Sequence, residues 1–268
     1  MDKELVNLIA KRFIQRRDVK AVQFPNGAYS PDYKLQQIGR HGPRGFQRKH
    51  LEAHLSGKST YGHYVLDADS LCKVITFDVD LISLGVGNYY DFDNDSVVIS
   101  VNPRELWEQR RNAAARKWYK YQLRMLAQKL CGRVQELGLA TAAAYSGHKG
   151  VHVYAFLDKP IPGDRACHGA QLILDMFDDF EPLKGHHLFR HKNPDPVQGF
   201  RNLTVEVYPK QESLDGKTLG NLVRLPLGVN LKAPKDPTFF LDFTAPMTEL
   251  RPHQDPVGLL KEGDPFRA

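Results

Sequence analysis

Residues 73–80 read Lys73-Val74-Ile75-Thr76-Phe77-Asp78-Val79-Asp80, an apolar run that closes on two carboxylates at i and i+2. Side chains alternate along a strand. Val74, Thr76, Asp78 and Asp80 therefore take one face, and Ile75, Phe77 and Val79 the other. The carboxylates then stand about 7 Å apart along the strand, close enough to share two divalent cations about 3.5–4 Å apart. Alone, the motif reads equally well as a strand end running into an acidic turn, and D-x-D pairs also occur in glycosyltransferases. The rest of the chain has to decide.

The 268 residues suffice for one large domain or two lobes with a core. A hydrophobic fraction of 41% and a charged fraction of 25% are ordinary for a soluble globular protein. The net charge of +6 is a mild pointer to a polyanionic partner. Cys72, Cys131 and Cys167 are scattered and odd in number, which excludes a C-x-x-C pair and fits a reducing compartment. The charged start, MDKELVNLIAKRF, has no signal-peptide core. No apolar run approaches the roughly 20 residues that span a bilayer. The expectation is a cytoplasmic protein with no membrane partner.

Around the opening strand the pattern predicts an amphipathic helix over 3–17, a strand over 20–24 with a Pro25-Asn26-Gly27 turn, and a strand over 61–66. The basic stretch Arg40–His50 reads as a phosphate-contacting or solvated loop. His54-Leu55-Ser56-Gly57-Lys58-Ser59-Thr60 is not a P-loop, because Glu52 stands where its first glycine belongs. Asp91–Asp95 reads as an acidic surface loop: Ser96 and Asn102 replace the glycine and glutamate of a calcium loop. Asn102-Pro103-Arg104-Glu105 starts a helix that runs toward Leu137, with a break near Gly132. Its Trp107 and Trp118 read as packing residues.

Ala140–Phe156, ATAAAYSGHKGVHVYAF, reads as a hairpin around a Gly-His-Lys-Gly turn that offers backbone N–H groups, a lysine and a histidine to phosphate oxygens. His152 follows on the second strand, sharing a face with Tyr154. By itself it reads first as a structural histidine. A helix is expected over 164–177. The histidines of Lys184–Lys192 have no defensible zinc spacing with Cys167 and His168. Leu203–Pro209 is a third strand with one carboxylate, Glu206, among apolar neighbours, which asks for a metal or an arginine nearby. Gly220–Asn230 is a further strand carrying Arg224. Beyond Lys232 the chain is punctuated by prolines, with a short helix starting at Asp255-Pro256.

FDVD, SGHKGVHVY, TVEVYPKQ and GNLVRLPLGVN, in this order, resemble the archaeo-eukaryotic primase superfamily, the primase-polymerases. HLSGKSTYGHYVL before FDVD resembles the branch found in phage, plasmid, CRISPR-associated and other conflict-system primases. The resemblance covers about residues 20–232. It implies an α+β, two-lobed catalytic core over 1–232, with an α/β N-terminal lobe against an RNA-recognition-motif-like sheet and the active site in the cleft. Residues 233–268 are left as a proline-rich wrapping tail or a link to a further domain. It implies that Asp78, Asp80 and Glu206 hold two Mg²⁺ or Mn²⁺ ions, and that Ser146, His148, Lys149, His152 and Arg224 hold a nucleoside triphosphate. His152, Lys149 and Arg224 are expected to offset its charge. The implied activity is a template-directed nucleotidyltransferase, a DNA primase or polymerase acting in replication or defence. Its ligands would be a single-stranded DNA template, a primer strand and NTP or dNTP. A helicase or another replication or defence protein would be a partner. Asn230 stands where many members have histidine, and the cysteine cluster of some relatives has no counterpart, so no zinc is expected.

Two other classes compete. A metal-dependent nuclease or rolling-circle replication initiator also needs carboxylates and histidines, but an initiator wants two histidines separated by one apolar residue, which His148 and His152 are not. A non-catalytic single-strand binder would show salt-sensitive binding without metal-dependent incorporation.

Overall fold

A computed structural model describes residues 2–31, 45–82, 87–176, 180–193, 195 and 199–266. The described helices are α1 (Lys3–Phe13), α2 (Arg48–Leu55), α3 (Pro103–Gln109), α4 (Ala113–Glu136), α5 (Gly163–Asp175) and α6 (Pro256–Glu262). The strands are β1 (Ala21–Gln23), β2 (Tyr29–Pro31), β3 (Tyr61–Tyr64), β4 (Leu71–Leu81), β5 (Gly87–Asp91), β6 (Ser96–Val101), β7 (Ala140–Tyr145), β8 (Gly150–Pro162), β9 (Phe180–Lys184), β10 (Leu188–His191), β11 (Leu203–Tyr208), β12 (Leu222–Arg224) and β13 (Phe239–Phe240). The fold is mixed helix and sheet, as the sequence implies.

KVITFDVD lies in β4, the middle strand of a seven-stranded antiparallel sheet ordered β13-β7-β8-β4-β11-β10-β9. The alternation holds. Ile75, Phe77, Val79 and Leu81 join a core with Trp118, Leu123, Leu126 and Leu130 of α4 and with Ala170 and Ile173 of α5. Each large side chain so buried contributes about 1.5–3 kcal/mol. On the opposite face Val74, Tyr154 and Phe156 pack against Ile9 and Phe13 of α1 and against Tyr61 and Leu225. A second sheet, β12-β3-β1-β2, covers part of this face. The parts of β4 and β8 that carry Asp78 and His152 line the gap between the sheets, and Glu206 on β11 lines a neighbouring cavity on the large sheet.

Some boundaries differ from expectation. Helix α1 stops at Phe13 because Ile14 turns extended, with Arg16 pinned to Asp18 and the Thr218 carbonyl. The helix expected to run from Asn102 toward Leu137 with a break near Gly132 is two, divided much earlier. Arg110 adopts a left-handed φ of 56° after α3, and Asn112 recaps the chain by accepting from the Ala115 N–H. Gly132 sits inside α4 without a break, since a helix tolerates one glycine at modest cost. Helix α5 ends at Asp175, and Phe177 lies outside the described residues. Of the basic stretch Arg40–His50, residues 40–44 also lie outside them, while Arg48–His50 open α2. Gly57 follows a helix rather than preceding one, contrary to a P-loop.

The segment after Lys232 packs on the sheet. Phe239 and Phe240 pair with Tyr145 and Ala144 as the edge strand β13, and α6, capped by Asp255, lies against α1. Among the described residues no helix is long and apolar enough to cross a membrane.

Candidate active site

Strand register assembles the site. β8 pairs with β4 so that His152 faces Asp78 and Gly150 faces Asp80; β11 pairs with β4 so that Glu206 faces Asp78 and Thr204 faces Asp80. Directly paired residues share a sheet face. One row of that face therefore reads Ala144, His152, Asp78, Glu206, Leu188 across five strands. Glu206, distant in sequence, stands beside Asp78.

The Ser146–Lys149 turn joins β7 to β8 next to this row. Gly147 has φ +71°, and a Cβ there would come within 2.6 Å of Thr238. A Cβ on Gly150 would meet the Asp80 carboxylate at 2.1 Å, so that glycine gives Asp80 its space. Four side chains clamp the turn. Arg224 (2.5 Å) and Asn230 (3.1 Å) donate to the Ser146 carbonyl, and Trp107 (2.6 Å) and Tyr145 (2.7 Å) donate to the His148 carbonyl. Trp107, read from sequence as packing alone, also fixes the loop. Asn230 acts here through its side-chain N–H₂, a donor that does not depend on being a histidine.

A cavity of about 340 Å³ brings together Asp78, Asp80, Ser146, His148, Lys149, His152 and Arg224, seven of the eight expected residues. The eighth, Glu206, lines an adjoining cavity of about 280 Å³ that shares Asp78, Asp80 and Lys149 with the first. Tyr29, Tyr208 and Lys232 also line the first cavity and were not singled out from sequence. The Tyr29 hydroxyl is buried there without a hydrogen-bond partner, and no local pattern marks it.

The charges are unevenly met. Asp80 is bound by Lys149 at 2.6 Å. Both Glu206 oxygens are taken, by Lys210 at 2.6 Å and by the Tyr208 hydroxyl at 2.9 Å. Among the described residues Asp78 has only the His152 Nε2, at 3.4 Å. Burial, then the charges of Asp80 and Glu206, push the Asp78 carboxyl well above the usual carboxylate range. Burial, then Arg224 and His63, lower His152 to about 3. The imidazole is therefore neutral, with Nδ1 3.2 Å from the Tyr154 hydroxyl. In this state His152 adds no positive charge to the cavity, where Lys149 and Arg224 stand beside it. Among the described residues the hydrogen bonds of Arg224 go to backbone carbonyls and none to a carboxylate.

Among the described residues no three His, Cys, Asp or Glu side chains converge as a preformed metal centre. The donor set nevertheless fits a hard divalent cation. Asp78, Asp80 and Glu206 carry oxygen donors around one cavity, a set that would suit such a cation, and a cation there would offset the burial and like charge that raise Asp78. Lys149 pairs with Asp80 and Lys210 with Glu206.

The family model for the archaeo-eukaryotic primase domain of TOTE conflict systems matches residues 4–264. The chain belongs to this family. Its members are primase-polymerase nucleotidyltransferases, and the match extends beyond the resemblance read from residues 20–232, through β13 and α6. No curated protein matches the chain. Among solved structures, the polymerase domain from Mycobacterium tuberculosis ligase D in complex with DNA is similar at 15% identity and a TM-score of 0.45, covering 97% of this chain and 88% of that one.

Proposed function

We propose that this primase domain is a template-directed nucleotidyltransferase that adds nucleotides to a strand on single-stranded DNA. The observation that carries the reading is the register row: Asp78 and Glu206 side by side, Asp80 two residues on, and Lys149, His152 and Arg224 around the adjoining cavity. In the reaction a 3′-hydroxyl attacks the α-phosphorus of a nucleoside triphosphate. A phosphodiester bond forms, the α–β anhydride breaks, pyrophosphate leaves with the electron pair, and the hydroxyl proton is released.

Asp78, Asp80 and Glu206 would hold Mg²⁺ or Mn²⁺, which supplies activation of the hydroxyl and neutralisation of charge on the phosphates. Arg224 and Lys149 draw the β- and γ-phosphates into the first cavity through charge-assisted hydrogen bonds. His152, held between Tyr154 and Asp78, donates without adding charge. The clamped Ser146–Lys149 turn presents its backbone in a fixed geometry, which lowers the reorganisation needed when charge shifts to the leaving group. No protein nucleophile is required, because phosphoryl transfer rests on positioning and electrostatics.

The test supplies one labelled nucleotide at a time on homopolymer single-stranded templates, primed and unprimed, with Mg²⁺ or Mn²⁺. Metal-dependent incorporation of the complementary nucleotide alone is expected. Salt-sensitive binding without incorporation would instead favour the non-catalytic single-strand binder, and covalent capture of the DNA on a tyrosine the initiator class.

A further inference from the structure

We propose that the outer edge of β6 is a self-association surface: the strand pairs antiparallel with β6 of a second copy of this chain, about a two-fold axis at Val98. No residue of β6 lines either cavity of the candidate active site, so the surface does not depend on what that site catalyses.

Among the described residues β6 pairs with β5 alone, and β5 in turn lies against α4. An open edge offers N–H and C=O groups to another strand, and folds usually blunt it with short strands, prolines or charge. The other described edges are blunted in this way. β13 has two residues and β12 three; β2 has three and ends on Pro31; β9 carries Glu181, Pro182 and Lys184. β5 has a register shift at Gly87/Asn88 and ends on Asp91. β6, Ser96-Val97-Val98-Ile99-Ser100-Val101, is six residues long with no proline and no charge. Val97 and Ile99 are 38% and 64% exposed and alternate with half-buried Val98, so they share its open face.

The occupant follows from the strand's own symmetry. Residues 96–100 read Ser-Val-Val-Ile-Ser, nearly the same in both directions. Antiparallel pairing centred on Val98 sets Val97 opposite the second copy's Ile99, and Ile99 opposite its Val97. Four exposed β-branched side chains then meet on one face, a pairing that such side chains favour. Charge sets the direction. The end of β5 and the turn before β6 carry Asp91, Asp93 and Asp95. Parallel strands would bring two such turns together. Antiparallel strands place each turn beside the uncharged Val101, Asn102 and Pro103 of the other copy. Because the two-fold pairing consumes both β6 edges, it closes at a dimer. Two short strands bury little area, at the low end of specific interfaces, so a Kd on the order of 10 µM is expected.

Sedimentation equilibrium of the full chain without nucleic acid, at concentrations from about tenfold below to about tenfold above that Kd, reads the state. A rise from monomer to dimer mass is expected. Ile99→Lys sets a charge on the edge at an exposed position that does not endanger folding, and should weaken the dimer about tenfold or more. Ile99→Val should keep it. Val98→Cys locates the contact. Cys72, Cys131 and Cys167 are buried, so mild oxidation with copper phenanthroline should join two copies by a disulfide at position 98. Leu172→Cys, 49% exposed on α5, should stay unlinked. A chain that is monomeric at every concentration, a dimer unaltered by Ile99→Lys, or assembly beyond a dimer would overturn the proposal. So would a monomer whose β6 amides become protected from hydrogen exchange only on adding single-stranded oligothymidylate, which would assign the edge to nucleic acid instead.

Discussion

On the His152 side of Asp78 the sheet face is polar, clamped and cationic; on the Glu206 side it turns apolar within one strand. The first flank spends four side-chain hydrogen bonds on fixing one turn, and among the described residues Arg224 bonds to carbonyls and to no carboxylate. The second is three leucines and an isoleucine beside a carboxylate already held by Lys210. A phosphate chain needs fixed donors, whereas a nucleoside needs surface.

Removing the carboxylate common to both flanks should have the largest effect. Asp78→Asn is expected to lower incorporation by about 10³-fold in single-turnover assays, the upper range for deleting one electrostatic contributor. It should do so without unfolding the chain, because the amide is isosteric and removes a charge that the site already disfavours. Incorporation within threefold of wild type would break the comparison at its centre.

Arg224→Ala should sharpen it. The nucleotide KM should rise about 10–50-fold, as expected for a lost charged hydrogen bond worth about 1.5–3 kcal/mol, while the KM for primed template stays put. An equal rise in both would mean that the flanks are not specialised.

A smaller effect separates the supports beneath the flanks. His54, bonded to the Tyr61 N–H and the Pro226 carbonyl, and His63, fully buried without a hydrogen-bond partner, underlie the small sheet that carries Arg224. Burial is the main cause that lowers them, to about 4 and about 3. Below pH ~6.5 the unfolded chain binds protons that the folded chain refuses. Their contribution is therefore complete above pH ~6.5 and is lost as pH falls toward their folded values, by at most about 1.4 kcal/mol per group per pH unit. Thermal unfolding should show a lower Tm at pH 5 than at pH 7, and His63→Phe should flatten the slope. A Tm that does not change with pH would contradict the buried, neutral state of both rings.

The strand alternation of KVITFDVD, the hairpin around SGHKG and the short strands bearing Glu206 and Arg224 were legible because apolar periodicity and glycine placement are local signals. The pairing of Glu206 with Asp78 was not. Register is set by a face buried among strands far apart in sequence, and only the family resemblance supplied it. The second helix start was missed because Asn112 caps a helix within a stretch that continues the helical pattern. Trp107 and Lys210 were invisible as site residues for a related reason: a tryptophan and a lysine are ordinary until a fold aims them at one carbonyl or one carboxylate.

Manganese binding in the absence of nucleic acid, followed by electron paramagnetic resonance, tests the carboxylate row most directly. The expected result is binding by the wild-type protein, weakened tenfold or more in the double variant Asp78→Asn/Glu206→Gln. Lys210→Ala, which frees a Glu206 oxygen, should tighten it about 3–10-fold. Unchanged binding in the double variant would contradict the assignment of these carboxylates as the metal site.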